Sequence, residues 1–307
     1  MNAAFLFPGQ GSQRPGMLRR LPDHPAVHSV LQQTTETLGF DVESLDTESA
    51  LRSTVNAQLS LLATGVAVAR ALMAEGVCPI AVAGLSVGAF GAAAVSGALS
   101  YPDIVRLVYR RAALMESKFT TGFGMAVIVG LDEYQVTEIV NRISTQETPV
   151  FPANVNAPRQ ITIAGTIQGI DRVLEVARER GARKTELLPV PTLSHCPLLK
   201  PVVEALRDMA QGMQVTDPTI PYIGNIRGRV LRKGSSVVSD AIENVAHGVR
   251  WHDSVSVLPE LGCELFLEMN PGRILCDLAA ESLPGIRCIP MESHPLRYPL
   301  TQNRSPV

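Results

Sequence analysis

The sequence predicts an α/β protein, a large domain on a parallel sheet with a smaller domain inserted into it. Three observations carry that expectation. Short apolar runs bounded by turn residues, "AAFLF" at 3–7 and "PIAVAG" at 79–84, alternate with stretches of helical periodicity, the pattern of a parallel α/β sheet. From Gly124 the order changes to β-α-β-β-α-β, the signature of a ferredoxin-like unit. The chain has 307 residues, 46% hydrophobic and 18% charged, enough for a large core and a second, smaller one.

Element by element, residues 3–7 read as a buried strand running into the turn "PGQGSQ". Residues 24–39 and 58–75 have helical spacing, "PIAVAG" is a buried strand, and 86–98 form an alanine-rich helix. In the insert, "GMAVIVG" is a strand and "DEYQVTEIVNRI" a helix. "VFPANVNA" and "QITIAG" are strands joined by a Pro turn, "TIQGIDRVLEVARERG" is a helix, and "RKTELLPV" closes the unit as a strand. The insert is expected over 123–189 and the large domain over 1–122 and 190–307, resuming near Pro191.

Several classes of function are disfavoured. A net charge of −2 gives no basic surplus for nucleic acid. The opening "MNAAFLFPGQGSQ" has no cationic region and is not expected to be a signal peptide. No charge falls between Glu75 and Asp103, but Pro79 and five glycines make a buried strand and helix the better reading than a membrane span. The five cysteines (78, 196, 263, 276, 288) form no CxxC pair and read as thiols of a cytoplasmic protein, with neither a disulfide frame nor a metal site.

The chemistry concentrates at Gly84-Leu85-Ser86-Val87-Gly88. G-x-S-x-G between a strand and a helix is the nucleophile-elbow pattern, in which a Cβ at either glycine would collide with neighbouring backbone. The serine is then held at a helix N-terminus, where free N–H groups favour an oxyanion. A plain Gly-Ser turn is the competing reading. The turn after the first strand is a natural source of a second oxyanion-hole N–H. Among six histidines His195 is the candidate base, in the proline-held loop "PVPTLSHCPLL". Helical projection of "PDIVRLVYRRAALMES" places Arg111 within about 60° of Ile104, Leu107, Val108 and Met115, while Arg110 falls with Asp103, Arg106 and Ser117. An inward guanidinium needs a partner, either a structural carboxylate or one belonging to a substrate.

At these residues the chain resembles the malonyl-CoA:acyl-carrier-protein transacylase family. The likeness runs in order through "FLFPGQGSQ", "GLSVG", "RRAALM", "NVNAPRQITIAG", "LSHCPLLKP", "VRWHDSV" and "NPGRIL". It implies an α/β-hydrolase-like large domain with a ferredoxin-like insert. It further implies that Ser86 accepts the acyl group, that His195 is its base, and that Gln10 and Val87 supply oxyanion-hole amides. Arg111 would bind the free malonyl carboxylate, the Arg250 carbonyl would orient His195, and Asn156 would support the domain interface. Malonyl-CoA and coenzyme A would be substrate and product, the partner an acyl carrier protein, with no tightly bound cofactor and no metal.

The elbow departs from the family's usual G-H-S-x-G-E at Leu85 and Ala89. "GLSVGAF" is closer to the epsilon subunit of bacterial malonate decarboxylase, which implies a carrier bearing a phosphoribosyl-dephospho-CoA arm. Fatty-acid or polyketide carriers are the alternative. A serine esterase or thioesterase using Asp103, Asp132 or Asp171 is a competing class, and a non-catalytic scaffold is another. The run Arg227, Arg229, Arg232, Lys233 reads as a charged hairpin in solvent, with steering of an acidic carrier as the functional alternative.

Overall fold

The computed structural model describes residues 2–118, 121–190 and 192–301, so Pro191, where the large domain is expected to resume, lies outside the described residues. In chain order the large body begins with β1 (Ala3–Phe7), α1 (Pro25–Leu38), α2 (Thr54–Ala74), β2 (Pro79–Gly84), α3 (Gly88–Ser96) and α4 (Tyr101–Lys118). The insert follows as β3 (Phe123–Val129), α5 (Glu133–Ile143), β4 (Val150–Ala157), β5 (Gln160–Thr166), α6 (Ile167–Glu179) and β6 (Lys184–Leu187). The large body resumes with α7 (Lys200–Ala210), β7 (Tyr222–Ile223), β8 (Val230–Leu231) and α8 (Gly234–Glu243), then α9 (Trp251–Glu260), β9 (Leu265–Glu268), α10 (Ile274–Ser282) and β10 (Arg287–Pro290).

The main sheet has the order β10-β9-β1-β2-β7-β8, parallel except for the terminal β7–β8 hairpin. Its central strands are continuous apolar runs because both faces are covered. Phe5 and Phe7 pack into one core with α2, α3 and α4, while Ala4, Leu6, Ala81 and Ala83 pack on the other face with Trp251 and Leu275. Each fully buried side chain of the larger kind contributes about 1.5–3 kcal/mol. α2 is long and apolar enough to span a membrane, yet its residues are buried against the rest of the protein.

The insert forms an antiparallel sheet, β4-β5-β3-β6, with α5 and α6 on a core of its own. It is strapped to the large body. Val155 N–H donates to the Val249 carbonyl at 2.9 Å and Val249 N–H to the Ala153 carbonyl at 2.8 Å, a short parallel pairing beside β4.

Three elements differ from their sequence expectation. α2 starts at Thr54 rather than 58, because the Ser53 hydroxyl caps it by accepting from Asn56 N–H. α3 ends at Ser96, where Gly97 takes the left-handed conformation at φ 81°. The last insert strand stops at Leu187, ahead of Pro189, which has no N–H for the ladder. The expectation that all five cysteines are free is corrected. α10 lies on its neighbour β10, bringing Cys276 and Cys288 to a Cα separation of 5.2 Å, and they form a disulfide, while Cys78, Cys196 and Cys263 remain thiols.

Candidate active site

β1 and β2 end side by side at Phe7 and Gly84, so the loops that follow share the carboxyl edge of the parallel sheet, where open α/β sheets bind ligands. The turn from β2 into α3 is tight. A Cβ on Gly84 would lie 2.1 Å from the Gly88 carbonyl carbon, and one on Gly88 would lie 2.1 Å from the Phe7 carbonyl oxygen. Ser86 at its apex has φ 56°, a left-handed conformation costing about 1–3 kcal/mol in a residue with a side chain. The surroundings hold it there. Ser86 N–H donates to Asn225 Oδ1 at 2.9 Å, Asn225 Nδ2 to the Gly84 carbonyl at 2.8 Å, and Leu85 N–H to the Phe7 carbonyl at 2.9 Å.

Arg111 is fully buried on α4 among Ile104, Leu107, Val108 and Met115, while Arg110 beside it is exposed. Its Nη1 donates to Gln58 Oε1 at 2.6 Å and its Nη2 to Ser86 Oγ at 3.2 Å. Nε has no partner, and among the described residues no carboxylate pairs with the guanidinium. Burial alone pulls its pKa down to about 9. Gln58, buried on α2, passes the chain on by donating from Nε2 to Gln10 Oε1 at 3.1 Å. Gln10, Gln58, Arg111 and Ser86 therefore form one hydrogen-bonded line.

His195 is 3% exposed with φ 63°. Its Nδ1–H donates to the Asn244 carbonyl at 2.6 Å and its backbone N–H to the Val245 carbonyl at 2.7 Å. A carbonyl can only accept, so the proton belongs on Nδ1 and Nε2 keeps a free lone pair. Burial, then the nearby Arg111 charge, lowers the His195 pKa to about 4, against opposing backbone hydrogen bonds at Asn244 and His247. The ring is neutral at pH 7, the form a general base requires.

The expectation for Arg250 is corrected here. Its carbonyl accepts from Ser254, its guanidinium pairs with Glu133 at 2.8 Å and with Asp253, and Asn244 supplies the carbonyl to His195. The reason is positional: Arg250 opens α9 and its carbonyl is used by that helix, whereas Asn244 just past α8 lies against the histidine. None of the three aspartates of the esterase alternative reaches His195. Asp132 caps α5, Asp103 bonds Ser100 and Arg106, and Asp171 is exposed.

Ser86 and His195 line one cavity of about 270 Å³ between the large body and the insert, with Gln10, Leu85, Asn156 and Met125 among its walls. Asn156 Nδ2 donates to Thr162 Oγ1 at 3.1 Å, while the Oδ1 atoms of Asn156 and Asn154, both on β4, have no partner. Among the described residues neither the Gln10 nor the Val87 backbone N–H is engaged. Leu85 adds an apolar wall, and Ala89 is fully buried in the main core. The only group of metal-ligand type among the described residues is Glu268, Cys276 and Cys288. Its sulfurs are bonded to each other, and both carboxylate oxygens accept N–H groups of Leu275 and Cys276.

Gln58, Asn225 and Asn244 were not singled out in the sequence. A glutamine inside the apolar face of a long helix was the available signal for Gln58. Asn225 bonds backbone groups distant in the chain and Asn244 acts through its own carbonyl, so neither carries such a signal.

The His195 value sets a pH expectation. In the free protein the acid limb of kcat/KM falls near pH 4 rather than near 6.5, because the ring must lose its proton to act. A carboxylate bound at Arg111 neutralises the charge that lowers this pKa, so the limb for kcat lies at higher pH than that for kcat/KM. Initial rates across pH 3.5–8 check both, and coincident limbs would count against a carboxylate at Arg111.

A left-handed serine on a strand–helix elbow, beside a neutral histidine and a buried arginine, belongs to an enzyme class that moves acyl groups. The chain is a member of the acyl transferase domain family, matched over residues 4–283. It is 34% identical over 280 residues to the malonyl CoA-acyl carrier protein transacylase of Bacillus subtilis, covering 90% of this chain and 88% of that protein. The solved malonyl CoA-acyl carrier protein transacylase of Coxiella burnetii superposes with a TM-score of 0.92 at 30% identity, over 98% of this chain and 96% of the other. A malonyl-transacylase solved in complex with its type II polyketide-synthase acyl-carrier protein superposes at 0.88 with 30% identity, over 94% and 95%. These relatives carry transacylase names, which supports the fatty-acid or polyketide alternative better than the decarboxylase reading.

Proposed function

We propose that this chain is an [acyl-carrier-protein] S-malonyltransferase that takes malonyl from malonyl-CoA onto Ser86 and passes it to the thiol arm of an acyl carrier protein. The observation that carries the reading is Arg111, a buried cation without a carboxylate partner, one hydrogen bond from Ser86 Oγ. A malonyl group esterified there brings the missing carboxylate to it. The architecture suits an α/β-hydrolase-like body with a ferredoxin-like insert.

The cycle is ping-pong. Ser86 Oγ attacks the thioester carbonyl as His195 Nε2 takes its proton. The Gln10 and Val87 N–H groups hold the oxyanion, each worth about 2.7–4 kcal/mol. The intermediate collapses, the C–S bond breaks, and the coenzyme A sulfur leaves with the proton from His195. The carrier thiol then gives its proton to the same nitrogen, attacks the seryl ester, and departs as malonyl thioester while Ser86 regains its proton. Arg111 turns from Ser86 to the distal carboxylate, which its fork can grip at two oxygens. Asn154 and Asn156 line the cleft with buried Oδ1 atoms that have no partner, and a small side-chain rotation would offer them as acceptors for the amide N–H groups of a pantetheine arm. No step uses a metal or a resident cofactor.

The acceptor is a phosphopantetheine carrier of fatty-acid or polyketide synthesis. The "GLSVGAF" elbow favours a second reading, a malonate decarboxylase carrier. An assay with malonyl-CoA and both carriers present decides. Malonyl on the phosphopantetheine carrier is expected. A preference of about tenfold or more for the other carrier moves the assignment to the decarboxylase. Free malonate formed faster than either malonyl-carrier would mean a thioesterase.

A further inference from the structure

Ser86 and His195 are held from the same short segment of chain. Asp240 on α8 is 7% exposed, and three donors converge on its carboxylate. Asn225 N–H reaches Oδ2 at 2.8 Å, the Tyr222 hydroxyl reaches Oδ2 at 3.1 Å, and Ile226 N–H reaches Oδ1 at 3.0 Å. The Asn225 side chain, fixed by that grip, accepts Ser86 N–H and donates to the Gly84 carbonyl, pinning both sides of the elbow. Asn244, one turn beyond Asp240, donates its N–H to the Asp240 carbonyl at 3.0 Å. Asn244 and Val245 then offer their carbonyls to His195 Nδ1–H and N–H.

We propose that Asp240 is a positioning residue that sets Ser86 and His195 in register with each other, its side chain locking Asn225 and the elbow while its helix carries the carbonyls that orient the imidazole. Only an acceptor-only group satisfies three converging donors. An asparagine would turn its own NH₂ against one of them. Displacing a reacting group by about 1 Å costs on the order of 10²-fold in rate, so a bolt shared by both residues governs the reaction without touching substrate. The inference rests on Ser86 and His195 being nucleophile and base.

The test uses the full chain as Asp240→Asn, Asn225→Ala, the double variant, and Val237→Ala as a control that opens a cavity under the same helix. Two rates are read: the burst of coenzyme A released from malonyl-CoA, and labelling of Ser86 by a fluorophosphonate, which needs no malonyl specificity. Asp240→Asn is expected to slow both by about 10- to 100-fold with KM within about twofold. The double variant is expected to be slower than the worse single by much less than the product of the two effects. Val237→Ala, at a matched loss of Tm, is expected to leave both rates near wild type. Rates of Asp240→Asn within about twofold of wild type, a loss confined to KM, or an equal loss in Val237→Ala overturns the proposal. Should Asp240→Asn not fold, Asn225→Ala tests the link from Asp240 to the elbow: it removes the side chain that bonds Ser86 N–H and the Gly84 carbonyl while its backbone N–H, with Tyr222 and Ile226, stays on Asp240, and rates within about twofold of wild type overturn the proposal. A chain whose label survives Ser86→Ala refutes the nucleophile reading itself, an outcome distinct from failure of the positioning role.

Discussion

Ser86→Ala is expected to abolish the covalent malonyl adduct that the proposed cycle forms on the intact protein, and to lower carrier loading by about 10⁴- to 10⁶-fold. The substitution removes one oxygen from an otherwise complete site. Alanine keeps a Cβ in the same left-handed turn, the Asn225 brace acts on the backbone N–H and stays, and His195 keeps its carbonyl partner. Arg111 loses one hydrogen-bond acceptor and retains Gln58. The fold is therefore expected to hold within about 1 kcal/mol, so the lost adduct reports chemistry rather than unfolding. Intact-mass spectrometry after brief exposure to malonyl-CoA reads the result directly. An adduct of malonyl mass persisting on the alanine variant would assign the ester to another residue.

Replacing Arg111 is expected to exchange activity for stability. At neutral pH the fold carries a desolvated cation with neutral partners, and a pKa lowered to about 9 corresponds to several kcal/mol, in order of magnitude, of charging cost. The sign follows from linkage: a cation whose folded pKa is depressed weakens the fold wherever it stays charged, here below about pH 9, and relief begins only above it. Arg111→Met fills similar space without the charge and is expected to raise the Tm of the unliganded protein. It also removes the proposed partner of the substrate carboxylate and is expected to cost malonyl transfer about 2–5 kcal/mol, roughly 30- to 4,000-fold in kcat/KM. Acetyl transfer, which brings no carboxylate, is expected to change far less. Competition between malonyl-CoA and acetyl-CoA measures the ratio, and a thermal melt measures the stability. An unchanged ratio would make Arg111 a structural residue, and a lowered Tm would refute the charging argument.

The sequence made the local features legible and left the long-range ones dark. The elbow could be read because its cause is local: two glycines that must lack a Cβ and a serine between them, preceded by a strand. The inward turn of Arg111 followed from helical projection alone. The insert was visible because its strands and helices change order within about 70 residues, a scale that periodicity resolves. What orients His195 was not legible, since the interaction is a backbone carbonyl contributed 49 residues away, and every residue has one. Placing that role at Arg250 by likeness chose a position whose carbonyl its own helix already uses. The roles of Asn225 and Asp240 were hidden for a similar reason, since they bond backbone groups on other elements of the fold. The disulfide was missed because cysteine spacing says nothing about two elements laid side by side.

The strap between β4 and Val249 has a bearing on how the cleft works. Val249 lies five residues beyond Asn244, so a single stretch of main chain grips the insert at one end and the imidazole at the other. A swing of the small body as a lid would drag the proton acceptor off its mark. On that geometry the donor thioester and the acceptor thiol are expected to exchange without a hinged closure of the insert, each threading a slender arm in and out. Such a design admits long flexible thiols, and it makes discrimination between acyl groups a matter for the floor of the cavity rather than for any closing of its walls.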